Sequence, residues 1–570
     1  MVSASWNALH EDDNADRLSG VAYSNIWKSD SMGRSVIWVL FNAGVVIDYY
    51  LHRYRLSIFL YLFLFVFFIL FHRKINEKII QMANTNRRVR RYDYCVVGGG
   101  VSGLYFARLL HARDPSASVV VLEKRCDRFG GRVHVSRFHG TDVVEGAAVA
   151  RVGKDKRLLR LADDLGTKYD VSPKRIVYSP AFGMSQESAV NSVKSALRLL
   201  NSALPSSADA KRHPVGEDFE AFGRRVLGDD RYDAFRKLIG FTDYERAAVL
   251  DTVIDYGFED NFSDPARPSK TASIHWNDVV QGLVSYVRET AGYTLHKGVR
   301  VTQVLIHQRK EDLSPCKFSV CYEDTRSEQK ETVECDNVVF ATTSDVIPKI
   351  APFVSEALTR AVSENNLYSR VSPRFETAVI KTQPFLRVYV RVDRRTSLEF
   401  ENAVKTYTVV PNMLQKVIPV DADKGVYMAA YSDNSNAEKL HRMGFRNDLD
   451  KKKNGKKMAV ACRKMEALLR EALALGGKDA VRVIDVRCFF WERGTHYYPG
   501  YSNPNTEKRD MFLERTLSPV PGVFVIGEGF SQNQGWTEGA LERAENVVSH
   551  IHSLANNYGT IYTSTIFPNI

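Results

Sequence analysis

The run Gly98-Gly99-Gly100 is followed by Val101-Ser102-Gly103, and about 20 residues beyond Gly103 stands an acid, Glu123. Residues of these types at this spacing suit a phosphate bound beside a ribose. Gly98 permits a tight turn from strand to helix, Gly100 lets the backbone approach a pyrophosphate, and Gly103 lets helix and strand pack closely. The first N–H groups of a helix and the positive end of its dipole receive the phosphates, and Glu123 accepts from ribose hydroxyls. The elements that must position these groups occur in order. Tyr94-Cys95-Val96-Val97 is a short apolar strand, Leu104–Ala112 is an amphipathic helix closed by Asp114-Pro115, and Val119–Leu122 is a second strand that delivers Glu123. Together they read as a dinucleotide-binding unit rather than an isolated glycine turn.

A second glycine pair, Gly130-Gly131-Arg132, follows the acid sooner than a plain nicotinamide site requires. Gly98–Gly103, Glu123 and Gly130–Arg132 resemble the FAD fingerprint of the flavin-containing amine oxidase superfamily, which includes monoamine and polyamine oxidases. Val144–Ala148 and Arg157–Gly166 resemble the next segment of that family. Lys297–Leu305, leading to Cys335–Thr343, resembles its second FAD segment. Pro521–Gly529 and Gly535–Leu541 resemble its closing motif. The resemblance covers about residues 92–555, with strong motifs at both ends and a weak middle. It implies FAD as cofactor, held by Gly98, Gly100, Ser102, Gly103, Glu123, Lys124, Gly130, Gly131, Arg132, Gly146, Ala147, Val299, Gly527, Glu528, Trp536 and Thr537. No metal site is expected.

The resemblance also implies where substrate chemistry would occur. Two aromatic side chains flank the amine in front of the flavin in that family. The matching positions are Trp536 and Tyr497, with Tyr498 as the alternate. His496 stands where some relatives carry a flavin-linked cysteine, and it reads here as a hydrogen-bonded loop histidine; Trp491 reads as core. Many relatives place a lysine near flavin N5, and Arg387 falls roughly at that position, with Lys381 as the counterpart in a shifted register. Alternation in Gln383–Val392 puts Leu386, Val388, Val390 and Val392 on one face and Arg387, Tyr389 and Arg391 on the other. Arginine does not act as a base near neutral pH, and its planar fork prefers carboxylates. That departure points to an acidic or amino-acid-like substrate, against a surface ion pair as the plainer role for Arg387.

The remaining sequence sets the context. The 570 residues are 44% hydrophobic and carry a formal net charge of +11. One basic run, Arg73 to Arg91, directly follows the uncharged stretch LSIFLYLFLFVFFILF at Leu56–Phe71. A membrane surface explains it better than nucleic acid does. A second run, Lys451–Lys453 with Lys456 and Lys457, reads as a solvated loop. Cys95, Cys126, Cys316, Cys321, Cys335, Cys462 and Cys488 are scattered without CxxC spacing, which disfavours a disulfide framework or structural zinc site. Leu56–Phe71 is somewhat shorter than the about 20 residues of a typical spanning helix, but it has no polar face. A lipid bilayer is therefore an expected partner, and the positive-inside bias puts the catalytic part in the cytosol.

The fold class expected is α/β: a discontinuous Rossmann-like FAD domain with an inserted α+β substrate domain, preceded by an N-terminal transmembrane helix. The expected divisions are a tail at 1–35, a membrane segment at 36–72, a basic linker at 73–91, FAD-binding parts at 92–168, 291–350 and 486–555, substrate parts at 169–290 and 351–485, and a closing tail at 556–570. The expected function is membrane-anchored, FAD-dependent oxidation of a small amine by hydride transfer, with oxygen as acceptor. The alternatives are a desaturase or oxidase of a membrane-soluble substrate and a non-catalytic scaffold stabilised by FAD.

Overall fold

The computed structural model describes residues 90–557 apart from 205–216, 250–251, 254–257, 259–268, 308–316, 365–379, 448, 450–454, 478 and 500–505. The apolar stretch Leu56–Phe71, Lys451–Lys453 and Cys316 lie outside the described residues. Among the described residues no helix is long and apolar enough to cross a membrane.

Two sheets organise the chain. In the first, the strand Arg90–Val97 lies between Lys330–Phe340 and Val119–Glu123, parallel to both. Thr294–Lys297 extends the parallel set beyond Val119–Glu123, and Val523–Val525 joins the far end of Lys330–Phe340. The near end of that strand pairs antiparallel with Phe318–Asp324, which pairs in turn with Val299–Ile306. Strands covered on both faces read as continuous apolar runs. Val119–Glu123 is such a run, buried at every position. The helices Val101–Arg113, Trp276–Ser285 and Thr537–Asn557 share one core on this sheet through Leu104, Phe106, Val279, Leu283, Leu541 and Val547.

The second sheet has the order Val483–Tyr497, Lys381–Val392, Val426–Asp433, Lys416–Asp421, Tyr407–Val409, Ile176–Tyr178. Its pairs are antiparallel except the last, which is parallel. The alternation read along Lys381–Val392 holds. Leu386, Val388, Val390 and Val392 pack with residues of the helices Asn434–Arg442 and Gly455–Leu473. The opposite face carries Arg387, Tyr389 and Tyr431. It meets helices Gln186–Ser202, Phe219–Leu227 and Asp229–Ile239 on one side and the Val144–Gly146 loop on the other. The helix Gln186–Ser202 is capped by Ser185, whose side chain accepts from the Ser188 N–H at 3.1 Å.

Two expected divisions differ from the pairing. Val483–Tyr497 is one continuous strand of the second sheet, so a boundary at 485/486 cuts through it. Trp276–Ser285 packs in the dinucleotide core, although it falls within the segment 169–290 assigned to the substrate part. Both differences come from partners distant in the sequence, which local periodicity does not register.

Candidate cofactor and substrate site

The cradle begins where Arg90–Val97 ends. Gly98 sits at φ +116°, and a Cβ there would lie 2.6 Å from the Ala341 carbonyl oxygen, so only glycine fits this turn. A Cβ at Gly103 would overlap the Gly98 carbonyl oxygen and press on Val96, which is the close helix–strand packing read from the spacing. Gly100 caps the helix Val101–Arg113 without a side-chain hydrogen bond, and the first turn holds no acid. The helix N-terminus is therefore bare positive dipole and N–H groups, the arrangement that receives a diphosphate. Gly130 donates its N–H to the Gly99 carbonyl at 2.9 Å, which brings the second glycine pair alongside the first. Gly100 and Gly131 then face each other with no side chain between them.

Glu123 is buried at the end of its strand and holds this loop. Its carboxylate accepts from the Gly99 N–H at 2.8 Å and from the Arg125 N–H at 2.8 Å. The acid thus fixes the glycine turn as well as standing where a ribose would be read. Ser102 spends its hydroxyl elsewhere: it donates to the Ala540 carbonyl at 3.1 Å, tying the first helix to the last. Lys124 is exposed, Val299 is buried at the head of its strand, and the Ala147 N–H donates to the Arg132 carbonyl at 3.2 Å. Gly146 belongs to the loop that the second sheet clamps, and Thr537 is the first residue of the last helix. The clamp is made by Tyr389, whose hydroxyl donates to the Val144 carbonyl at 2.7 Å, and Trp491, whose indole N–H donates to the Glu145 carbonyl at 2.8 Å. Trp491, expected in the core, is only half-buried and belongs to none of the core clusters among the described residues; its contact is this hydrogen bond to the loop.

Three motifs far apart in sequence converge on Glu528. Gly527, at φ +115°, turns the chain out of the strand Val523–Val525 and delivers Glu528 into the interior. Arg132 Nη1 donates to its carboxylate at 2.6 Å and to the Gly494 carbonyl at 2.9 Å. His496 Nδ1 lies 2.8 and 2.9 Å from the two carboxylate oxygens. The Ser344 N–H donates to His496 Nε2 at 3.3 Å, which assigns the ring proton to Nδ1 and aims it at Glu528. Burial alone would raise the carboxyl pKa, but His496 and Arg132 override it and hold the group at about 2. His496 is hydrogen-bonded as read, on the end of a long strand rather than in a loop.

The aromatic residues separate into different roles. Tyr498 is fixed in the interior, its hydroxyl donating to the Ser531 carbonyl at 3.1 Å, so it is not available as a flanking ring. Tyr497 is buried one residue earlier, beside Lys381 in the neighbouring strand. Thr495 shares its face of the strand, and its methyl lies 3.7 Å from where a Cβ on Gly535 would be, next to Trp536. Both sequence-read aromatics therefore belong to elements that meet. One face of the Trp536 ring is covered by the Arg151 guanidinium at 3.8 Å, and that arginine is itself bonded to the buried Asp155.

Arg387 is not a surface ion pair. It is 4% exposed and lies over the Tyr431 ring at 4.3 Å, and its Nη1 has no hydrogen-bond partner among the described residues. Sequence reasoning missed two further features. Glu538, in the Glu538-Gly539-Ala540 motif, accepts from the Leu158 N–H at 3.0 Å and the Arg157 N–H at 3.1 Å, so it caps the helix Lys156–Asp164 from outside. The acid two places after Trp536 was its signal. Lys416 is fully buried beside Arg387's face of the sheet; nothing local in Lys416–Asp421 announced it.

The family model for flavin-containing amine oxidoreductases matches residues 101–552, from the glycine turn to the last helix. The chain belongs to that family. As a member of this flavoprotein family it takes FAD, and the bare glycine cradle with its buried acid fits that group. Amine oxidase [flavin-containing] B of Rattus norvegicus is 46% identical over 74 residues, and amine oxidase [flavin-containing] A of Canis lupus familiaris is 37% identical over 90 residues. Those matches span 14% and 16% of the relatives' lengths and 13% and 15% of this chain. A putrescine oxidase structure, wild type with putrescine bound, superposes with TM-score 0.56 at 16% identity, covering 81% of this chain and 99% of that one. A triple mutant of the same enzyme gives a TM-score of 0.57 at 16% identity, covering 81% and 99%. These likenesses establish the α/β fold with its two mixed sheets.

Proposed function

We propose that this flavoprotein oxidises a small amine carrying an acidic group, with oxygen as the final acceptor. The observation that carries the reading is Arg387: a buried cation without an ion-pair partner among the described residues, on the sheet face clamped to the cofactor loop. Bound FAD supplies the hydride acceptor. The residues of this chain do the rest. Arg387 binds the carboxylate end of the substrate through a charge-assisted fork. Trp536 and Tyr497 wall the reacting carbon, exclude water and favour the neutral amine, whose lone pair assists hydride loss. The test is anaerobic bleaching of the bound flavin with a panel of amines, amino acids and polyamines. Bleaching by amines that carry a carboxylate is expected. In Arg387→Ala, loss of the contact removes about 1.5–3 kcal/mol and raises KM for the acidic substrate roughly 10- to 100-fold. If only uncharged amines bleach the flavin, Arg387 loses this role; if no amine does, the oxidase reading falls.

The stretch Leu56–Phe71 and the basic residues after it support a membrane anchor with the catalytic part in the cytosol. Full-length protein is expected to stay with membranes through high-salt and carbonate washes, while a chain starting near Asn84 is released in soluble form. Release of the full-length protein by salt alone contradicts a spanning helix and leaves only electrostatic attachment.

A further inference from the structure

Two buried basic side chains flank one ring. The Tyr431 centroid lies 4.3 Å from the Arg387 guanidinium carbon and 5.9 Å from Lys416 Nζ. Neither Arg387 Nη1 nor Lys416 Nζ has a hydrogen-bond partner among the described residues, and Lys416 is 0% exposed. The strand register puts both on one face. Arg387 pairs with Tyr431 and Lys416 with Val409, whose side chain belongs to the same core as Tyr431 and Phe241. Lys416 Nζ rests over the Phe241 ring, with Tyr407 at 5.6 Å. Asp433, the acid that acts on Lys416 most strongly, is committed elsewhere. Asp433 already accepts from the Thr242 N–H at 2.8 Å, the Thr242 hydroxyl at 2.5 Å, the Asp243 N–H at 3.1 Å and Gln415 Nε2 at 2.9 Å, and it makes no ion pair with Lys416. Burial, with Lys174 adding to it, drives the Lys416 pKa well down, against the opposing pull of Asp433 and Asp243. Burial among aromatic rings disfavours the charged form of Lys416, and an anion beside Nζ would restore it.

We propose that Arg387 and Lys416, with Tyr431 between them, form a two-point anion subsite that takes both carboxylates of an amino-dicarboxylate substrate. The proposal rests on the amine-oxidation reading above and narrows its substrate class. Arg387 takes the carboxylate beside the reacting carbon, and Lys416 takes the one at the far end.

The decisive experiment uses the FAD-loaded protein and non-reactive probes. Glutarate has two carboxylates and no amine; butyrate has one. Binding of each is followed by the flavin spectrum and by calorimetry. Glutarate is expected to bind tighter than butyrate by on the order of ten-fold or more, and Lys416→Met, with FAD content unchanged, is expected to abolish that ratio. Equal affinity for the two probes in the wild-type protein overturns the proposal, as does a ratio that survives Lys416→Met. The wild-type comparison decides alone if the variant does not fold. The titration needs no turnover, so the two readings fail separately. Flavin bleached by amines without a glutarate preference removes the subsite and keeps the oxidase. A glutarate preference with no amine bleaching the flavin removes the oxidase reading, and the subsite stands as an anion site.

Discussion

Glu528→Ala is expected to destabilise the folded protein by about 1.5–3 kcal/mol and to strip it of flavin, because it leaves a part-buried arginine and a buried histidine without their shared acid. The carboxylate is 4% exposed and ties Arg132 of the second glycine motif to His496 of the substrate sheet. It therefore joins the two sheets across the site. Glu528→Gln keeps the shape and one acceptor, and a smaller loss is expected. The pH dependence follows from the depressed pKa. The folded value, about 2, lies below the ordinary carboxylate value, so this group's stabilisation is present above the ordinary value and is lost as pH falls through about 2. Denaturation midpoints of the FAD-loaded protein, measured between neutral pH and the acid limit, should fall more steeply for wild type than for Glu528→Gln. A Glu528→Ala midpoint equal to wild type contradicts this role.

Gly103→Ala is expected to produce protein that purifies nearly colourless. The added methyl meets a backbone oxygen, not the end of a flexible side chain, so the turn and helix must separate. Overpacking of this kind costs about 1–3 kcal/mol, or roughly 10- to 100-fold in FAD affinity if the cost falls on the cradle. Gly98→Ala adds a positive-φ penalty to a similar clash. Gly153→Ala is the control, since a Cβ there meets nothing within 4 Å. FAD titration of the three proteins by fluorescence quenching checks the order. Gly103→Ala binding FAD as tightly as Gly153→Ala would falsify the cradle argument.

The parts of the site visible in the sequence are those whose constraint is local. Gly98 and Gly103 are demanded by a turn and a helix a few residues away, and Glu123 ends the strand that presents it. Their types and spacing therefore reveal them. The alternation placing Arg387 opposite Leu386 and Val388 is local as well. What was not legible depends on distant pairing. Arg132 and Glu528 are separated by 396 positions, so neither advertises the other. Lys416 sits in an unremarkable short strand and gains meaning only when Tyr431 and Phe241 close around it. The strand Val483–Tyr497 looked like the start of a cofactor segment because His496 and Tyr497 lie beside the cofactor motifs, while its hydrogen bonds belong to the substrate sheet.

The central claim is that one FAD sits on the Gly98–Gly103 turn. It is tested most directly by the absorbance spectrum of the purified protein and by identifying the flavin that denaturation releases. The expected result is a yellow protein with about one FAD per chain, the binding helix having a single N-terminus for one diphosphate. A colourless protein that added FAD does not reconstitute contradicts it.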